Sequence, residues 1–310
     1  MKSIVFLNIF IVCFFFSFAQ KVNEIKVFEG KVIRHNNFKS KFVNARNVDV
    51  WLPENYSNQK KYAVLYMHDG QMLFDTTNTW NKKEWGIDEA MSDLFHQQKI
   101  KDCIVVGIWN DGKNRHIDYF PQKPFEALTK AEQDTMYAAN RLNGNSVFSG
   151  NVQSDNYLKF LVKELKPFID KKYATNITSV ATFIAGSSMG GLISIYALCE
   201  YPKVFGGAAC LSTHWPGIFK ADNPFPKAML VYLKMHLPEA KNHKIYFDYG
   251  TETLDAMYEP FQLQVDSIMM SKTYSLKNND WKTQKFEGEN HSEIAWSKRV
   301  RIPLAFLLRK

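Results

Sequence analysis

The sequence has few of the features that mark disulfide-rich, metal-binding or cofactor-binding proteins. Its 310 residues contain only 4 cysteines, and Cys13 lies in an apolar segment near the amino terminus. The remaining cysteines leave room for at most one intramolecular disulfide, which excludes a disulfide scaffold, and each lies in an apolar stretch that favours a buried free thiol. No histidines or cysteines have zinc-ligand spacing, so we expect no metal and no cofactor.

An excess of charge of one sign is also nearly absent. The formal net charge is +8 at pH 7, a mild excess for a chain of this length. No block of Lys and Arg with interleaved aromatic residues occurs, so nucleic acid is not an expected partner. The basic balance instead favours anionic substrates or surfaces.

The chain also lacks an apolar run long enough to span a membrane. Residues 4–16 are almost continuously apolar, which is shorter than the roughly 20 residues of a spanning helix. Lys2 precedes this run and small residues lead to a cleavage site after Ala19, as in a secretory signal peptide. We therefore expect residues 1–19 to be removed, and residues 20–310 to form one domain in the periplasm or outside the cell, without a stable membrane anchor.

Short apolar strands alternate with longer helical stretches, which predicts an α/β fold with a mostly parallel sheet and helices on both faces. The first two strands are expected to form an antiparallel start to this sheet. The segment Asp111–Ser149 is polar, aromatic and irregular, and we expect it to form an excursion beside the functional site. The expected strands are 27–34, 42–52, 62–67, 103–109, 179–185, 205–211, 244–248 and 281–286. The expected helices are 87–95, 157–173, 189–200, 225–236, 256–270 and one from about 293.

A G-x-S-x-G pattern occupies residues 186–190, where a predicted strand passes into a predicted helix. This context is typical of a nucleophile elbow, with Ser188 at the tip of a sharp turn and glycines where side chains would collide. The backbone N–H of Met189 would then face a developing oxyanion at a helix N-terminus. The alternative is a structural turn in which Ser188 is an ordinary helix N-cap.

Candidates for an acid and a base follow downstream, in the order that an α/β-hydrolase requires. Asp255 and Glu252 both lie just beyond a predicted strand, where a carboxylate can orient an imidazole. His291 lies between the last strand and the final helix, and we expect it to be the general base rather than a surface or capping residue. Gln71, in the loop after strand 62–67, is expected to give the second oxyanion-hole N–H.

Together these segments resemble the putative-esterase family of α/β-hydrolases, which includes esterase D, enterobactin-esterase-like enzymes, feruloyl and acetyl xylan esterases, and mycolyltransferases. The resemblance implies the α/β-hydrolase fold with a mostly parallel central sheet. It favours Asp255 over Glu252 as the acid, although Asp255 lies further beyond the glycine of its loop than is common. The matching segments are residues 66–75, 186–191, 246–255 and 288–296.

The resemblance also implies three residues near the substrate. Arg115 is expected either to contact substrate or to form a structural ion pair with Asp118. His214 and Trp215, just beyond strand 205–211, are expected to offer a stacking face for a sugar or aromatic acyl group, with buried packing as the alternative for Trp215.

These features predict an exported serine esterase that hydrolyses a carboxylic ester through an acyl-enzyme. The substrate would be a small-molecule or carbohydrate ester, such as an acyl or feruloyl group on a carbohydrate, or a siderophore ester. Acyl transfer by the same triad and non-catalytic binding on a hydrolase fold are the alternatives.

Overall fold

The computed structural model describes residues 25–141 and 143–310, apart from the side chain of Asn78. The predicted signal peptide, residues 1–19, lies outside these residues. The strands are β1 (Lys31–Phe38), β2 (Arg46–Leu52), β3 (Ala63–His68), β4 (Cys103–Ile108), β5 (Thr182–Ser187), β6 (Gly207–Leu211), β7 (Lys244–Gly250) and β8 (Trp281–Phe286). In the described chain they form one eight-stranded sheet in the order β1-β2-β4-β3-β5-β6-β7-β8.

The pairing directions confirm the mostly parallel sheet with an antiparallel start. β1 pairs with β2, and β2 with β4, in antiparallel fashion, whereas the other neighbouring strands are parallel. The first two strands begin later than the expected residues 27 and 42. Val27 and Phe42 lie outside the strands but pack against the core. Their apolar side chains indicate burial, which does not require that the backbone pairs with a strand.

Helices cover both faces of the sheet, as expected. Val64 and Tyr66 of β3 face a core shared with the helices between residues 154 and 271, whereas Leu65 and Met67 face the opposite core, shared with the helix at 87–96 and the helices after residue 292. In the described part of the chain no helix is long and apolar enough to cross a bilayer. The helices that cover the sheet are α1 (Ile87–His96), α5 (Ser154–Phe160), α6 (Lys166–Lys172), α7 (Met189–Glu200), α8 (Phe225–His236), α9 (Glu259–Ser271), α10 (Glu293–Arg299) and α11 (Arg301–Leu308).

Several helices differ from the sequence prediction at their ends or in their continuity. The helix expected over 157–173 consists of α5 and α6 joined by a π-helical segment, Leu161–Leu165. The helix expected from 256 begins at Glu259, after a 3-10 segment at Thr253–Met257. The final helix is divided at Val300, consistent with Pro303, which has no N–H to donate to the preceding turn.

The excursion, predicted over residues 111–149, contains more regular structure than expected. Its described residues form the short helices α2 (Arg115–Tyr119), α3 (Gln122–Glu126) and α4 (Lys130–Tyr137). Helices of this length are marginal on their own and depend on tertiary packing, which local periodicity does not reveal. That packing comes from a buried aromatic cluster, in which the ring of Phe148 lies 5.1 Å from Phe120 and 5.2 Å from Tyr137.

Candidate active site

Ser188 lies at the turn between β5 and α7, with a backbone φ of 56°. This is a strained value for a residue other than glycine, and such strain is characteristic of nucleophile elbows. A Cβ on Gly186 would lie 2.7 Å from the backbone carbon of Gly190, so no side chain fits there. The glycine spacing noted in the sequence therefore has a steric cause, and it leaves Ser188 partly exposed at the carboxyl edge of the sheet.

Asp255 and His291 meet at the same edge of the sheet. The Nδ1 atom of His291 lies 2.5 Å from Oδ1 of Asp255. Because a carboxylate only accepts hydrogen bonds, Nδ1 carries a proton, and the neutral imidazole then has Nε2 free to accept one. This arrangement orients the ring as a general base requires.

The loop after β7 curls back so that Asp255, rather than an earlier residue, reaches His291. The backbone N–H of Gly250 donates to Oδ2 of Asp255 at 2.6 Å, and His291 donates its own N–H to Oγ1 of Thr253 at 2.9 Å. Glu252 is exposed and forms no hydrogen bond with His291 in the described structure. The 3-10 segment thus explains why the carboxylate comes late after the glycine.

Asp255 is almost completely buried, and its hydrogen-bond partners decide its ionisation. Burial alone would raise the pKa of this carboxyl. The hydrogen bond and charge of His291, together with donors from Ser212 and Gly250, outweigh burial and hold the pKa of Asp255 below its ordinary value. The carboxylate is therefore charged at neutral pH and can stabilise an imidazolium.

Behind Asp255 lies a buried polar network that the sequence analysis missed. The Ser212 hydroxyl donates to Oδ2 of Asp255 at 2.6 Å and accepts from Nε1 of Trp296 at 3.0 Å and Nη2 of Arg299 at 2.8 Å. Arg299 also pairs with Asp248 at 3.0 Å. The only sequence feature that points to a role for Ser212 is its position directly after β6, because the carboxyl ends of the parallel strands meet at this edge of the sheet.

His214 and Tyr258 connect the elbow to the base. The N–H of His214 donates to the carbonyl of Ser188 at 3.2 Å, and its Nδ1 lies 2.7 Å from the Tyr258 hydroxyl. The Tyr258 ring is 5.8 Å from the ring of His291. Burial, followed by the charges of His291 and Arg115, lowers the pKa of His214 to about 3, so this imidazole is neutral.

The Ser188 hydroxyl forms no hydrogen bond with any described residue, His291 included. Catalytic hydrogen bonds are often long in enzymes without substrate and tighten when substrate binds. Ser188 and His291 therefore lie at the same edge of the sheet, with no hydrogen bond between their side chains in the described structure.

The predicted oxyanion donors lie on adjacent elements. Met189 is the first residue of α7 and Gln71 lies in a 3-10 turn, Gly70–Met72, so neither N–H has an acceptor within its own helix. The loop passes close to the elbow, since a Cβ on Gly190 would lie 3.6 Å from Oδ2 of Asp69. The side chain of Gln71 accepts from the N–H of Asn110 at 3.2 Å, which anchors the loop.

Arg115 forms its ion pair with Asp69 rather than with Asp118, which corrects the structural pairing considered from the sequence. Nε and Nη2 of Arg115 each lie 2.7 Å from a different carboxylate oxygen of Asp69. Asp118 instead binds Arg46 at 2.9 Å. Although burial alone would raise the pKa of Asp69, Arg115 holds it below its ordinary value, and the bidentate pair fixes the start of the loop that carries Gln71.

A family model described as "Putative esterase" matches residues 40–301, most of the chain. The chain belongs to this esterase family. Carboxylic ester hydrolysis is accordingly the class of activity of this esterase, and its fold is the α/β-hydrolase fold.

Curated relatives of this esterase match over part of their length. The uncharacterized protein YjcH of Bacillus subtilis is 24% identical over 207 residues, which cover 66% of this chain and 67% of YjcH. An endo-1,4-beta-xylanase/feruloyl esterase of Xylanibacter ruminicola is 27% identical over 181 residues, 54% of this chain and 19% of that protein.

Solved structures share the fold over nearly the whole chain. A ferulic acid esterase has a TM-score of 0.61 at 17% identity, covering 91% of this esterase and 99% of that chain. The enterobactin esterase of Shigella flexneri has a TM-score of 0.61 at 16% identity, covering 92% of this esterase and 60% of that chain.

Trp215 and His214, the other residues of this esterase that were expected to stack on substrate, are buried too deeply for that role. Trp215 is 2% exposed, donates from Nε1 to Gln262 at 3.0 Å and packs 5.7 Å from Phe247. His214 is also 2% exposed. Trp215 is therefore a buried packing residue, the alternative considered from the sequence, and no face of its ring is exposed to a substrate. The described cysteines, Cys103, Cys199 and Cys210, are buried and free, as expected.

Proposed function

We propose that this chain is an exported serine esterase with Ser188 as nucleophile, His291 as general base and Asp255 as the acid that orients it. The observation that carries the proposal is the strained elbow of Ser188 at the sheet edge where His291 and Asp255 are hydrogen-bonded at 2.5 Å. The domain would comprise residues 20–310, after removal of residues 1–19.

In the first half of the reaction, Oγ of Ser188 attacks the ester carbonyl carbon while Nε2 of His291 takes the hydroxyl proton. The negative charge that develops on the carbonyl oxygen is stabilised by the N–H groups of Met189 and Gln71. Each such donor contributes about 3 kcal/mol at the transition state of related reactions. The imidazolium then donates its proton to the leaving alcohol, and the acyl group stays bonded to Ser188.

In the second half, His291 removes a proton from water, which attacks the acyl carbon. The tetrahedral intermediate collapses, the carboxylic acid leaves, and the proton returns to Oγ of Ser188. The charged Asp255 stabilises the imidazolium in both halves, and its low pKa keeps it ionised throughout. Substrate would be a small-molecule or carbohydrate ester, in line with the feruloyl and enterobactin esterases that share the fold.

Hydrolysis of p-nitrophenyl acetate and labelling by a fluorophosphonate probe test this proposal. We expect Ser188→Ala to abolish both, with Ser187→Ala, one residue away, as the matched control that still labels. A Ser188→Ala protein that hydrolyses ester at the rate of the unaltered chain would overturn the elbow assignment. A folded chain that neither labels nor hydrolyses any ester would instead favour a binding function.

Export is tested separately by expressing the full chain and sequencing the amino terminus of the protein recovered outside the cytoplasm. We expect the first residue to be Gln20. Recovery only in the cytoplasm, with Met1 or Lys2 at the amino terminus, would contradict export and leave the esterase chemistry unaffected.

A further inference from the structure

A cavity of about 380 Å³ lies between the loop after β6 and the excursion. Its apolar wall includes Met136, Ile218 and Phe219. The ring of Phe219 is 5.7 Å from the ring of His214, whose backbone N–H binds the carbonyl of Ser188. Contacts of Phe219 and His214 therefore connect the wall of this cavity to the turn at Ser188.

Arg141 lines this cavity without a carboxylate partner in the described part of the chain. Its guanidinium carbon lies 5.6 Å from the centre of the Phe219 ring, a cation–π contact, and its side-chain N–H groups have no acceptor among the described residues. Each of the other arginines in the described chain that is at least partly buried forms an ion pair. The exposed Arg301 also forms one. These paired arginines are Arg34, Arg46, Arg115, Arg299 and Arg301.

The positive charge of Arg141 is not balanced by the charged groups around this cavity. Burial, followed by repulsion from Arg115, lowers the pKa of Arg141. The cavity is also lined by Lys220 and Asp222, one exposed charge of each sign, which offset one another. Arg115 is already neutralised by Asp69, so the uncompensated positive charge at this wall belongs to Arg141. A half-buried cation without a counter-ion is unfavourable until an anion binds it.

We propose that Arg141 binds an anionic group, such as a carboxylate, carried by the ester substrate on the part that enters this cavity. This inference rests on the proposed esterase function and narrows it to anionic esters. The planar guanidinium matches a carboxylate in bidentate geometry, and the apolar wall at Phe219 accepts the hydrocarbon between the anion and the ester. Arg141 therefore determines specificity and takes no part in bond breaking.

Two pairs of esters, each with one anionic and one neutral member, test this role. Mono-p-nitrophenyl succinate and p-nitrophenyl butyrate differ on the acyl side, whereas p-acetoxybenzoate and its methyl ester differ on the alcohol side. The quantity compared is the ratio of kcat/KM for the anionic ester to that for the neutral ester. Arg141→Met should lower this ratio about ten-fold in at least one pair, as the loss of a charge-assisted hydrogen bond predicts.

Two variants make the comparison specific to Arg141. Arg141→Lys keeps the charge and should restore part of the ratio, whereas Lys227→Met removes an exposed positive charge outside this cavity and should leave it unchanged. An equal fall for anionic and neutral esters would show a structural role for Arg141, and an unchanged ratio in both pairs would exclude the anion site. Either result overturns the inference while the esterase function stands.

A binding measurement separates failure of the inference from failure of the proposed function. Calorimetric titration of p-acetoxybenzoate into Ser188→Ala and into Ser188→Ala/Arg141→Met needs no turnover. Binding that weakens about ten-fold in the double variant supports the anion site even if the chain hydrolyses none of the four esters. Equal binding to both variants, or binding to neither, overturns it.

Discussion

Two regions meet at the candidate site, and different forces hold their side chains in place. Ser188 and Asp255 follow the carboxyl ends of parallel strands and, with His291, form the strand-end site, which short hydrogen bonds fix from several directions. The excursion, residues 111–149, instead carries Arg115 and Arg141 on short helices and loops. Its shape depends on aromatic packing around Phe148.

From this difference we infer that the strand-end site carries out the reaction and that the excursion determines which ester is accepted. The strands β5 and β7, which precede Ser188 and Asp255, are each paired on both sides and therefore hold their ends rigidly. Reacting groups tolerate little displacement from the productive geometry. The excursion can change shape and charge without disturbing the sheet, as loops commonly do. We therefore expect substitutions in the strand-end site to alter kcat and substitutions in the excursion to alter the choice of ester.

The largest effect is expected from Asp255→Asn, which breaks the strand-end site without removing volume. The amide cannot hold His291 in the required tautomer, so kcat for p-nitrophenyl acetate should fall about 10⁴-fold with little loss of folding. Steady-state kinetics and circular dichroism measure the two quantities. The exposed carboxylate of Glu252 provides the control, and a comparable loss in Glu252→Gln would show that the wrong acid has been assigned.

Arg299→Met tests the buried network that supports the same site. Removing one partner of a buried ion pair leaves the buried Asp248 carboxyl without its cation, which costs about 3–5 kcal/mol in the free energy of unfolding. Urea denaturation measures this loss, and kcat should also fall because Ser212 loses a donor. The double variant Arg299→Met/Asp248→Asn should regain much of the stability. If it does not, packing of Arg299 on Phe286, at 4.9 Å, is the main contribution.

Phe148→Ala tests whether aromatic packing in the excursion contributes to stability and to the choice of ester. Phe148 is 6% exposed, and its loss should lower the free energy of unfolding by about 3 kcal/mol. It should also alter KM for bulky esters more than kcat for p-nitrophenyl acetate. Phe205→Ala, in the core near Tyr66, is the matched control with a similar stability loss and no change in ester preference. An unchanged preference in both variants would remove the basis for separating the two regions.

The smallest effect concerns Glu84, close to the turn that carries Gln71. Burial, together with Glu89 and Asp75, raises the pKa of Glu84 from 4.5 to about 7. The folded state therefore favours the protonated form, so its stabilisation is complete below pH 4.5 and is lost as pH rises through 7. Glu84→Gln should raise the free energy of unfolding at pH 8 by on the order of 1 kcal/mol after screening is considered, and change it little at pH 4. An equal gain at both pH values would point to packing instead of charge.

Much of the fold and part of the site follow from local sequence signals. The buried strands are short apolar runs, and the bounds of α7, α8 and β8 agree with the prediction because clear turn residues flank them. The placement of Ser188 between β5 and α7 follows from the glycine spacing. His291 follows from its position after the last strand.

Other features depend on contacts between distant parts of the chain. Ser212 and Arg299 are 87 residues apart, and nothing in either segment indicates that they support Asp255. The choice between Asp255 and Glu252 depends on how one 3-10 segment folds back. Arg115 pairs with Asp69, 46 residues away, rather than with Asp118 on its own helix.

By itself the sequence determined the order of the eight strands along the chain, most of the helices between them, the turn at Ser188 and the downstream positions of the candidate acid and base, because periodicity and glycine spacing act over a few residues. Only the tertiary structure decided which carboxylate meets His291, that Trp215 is buried, and that Arg141 lacks a carboxylate in the described chain. Those outcomes depend on the packing of distant segments, where burial makes each unpaired charge costly and each partner specific.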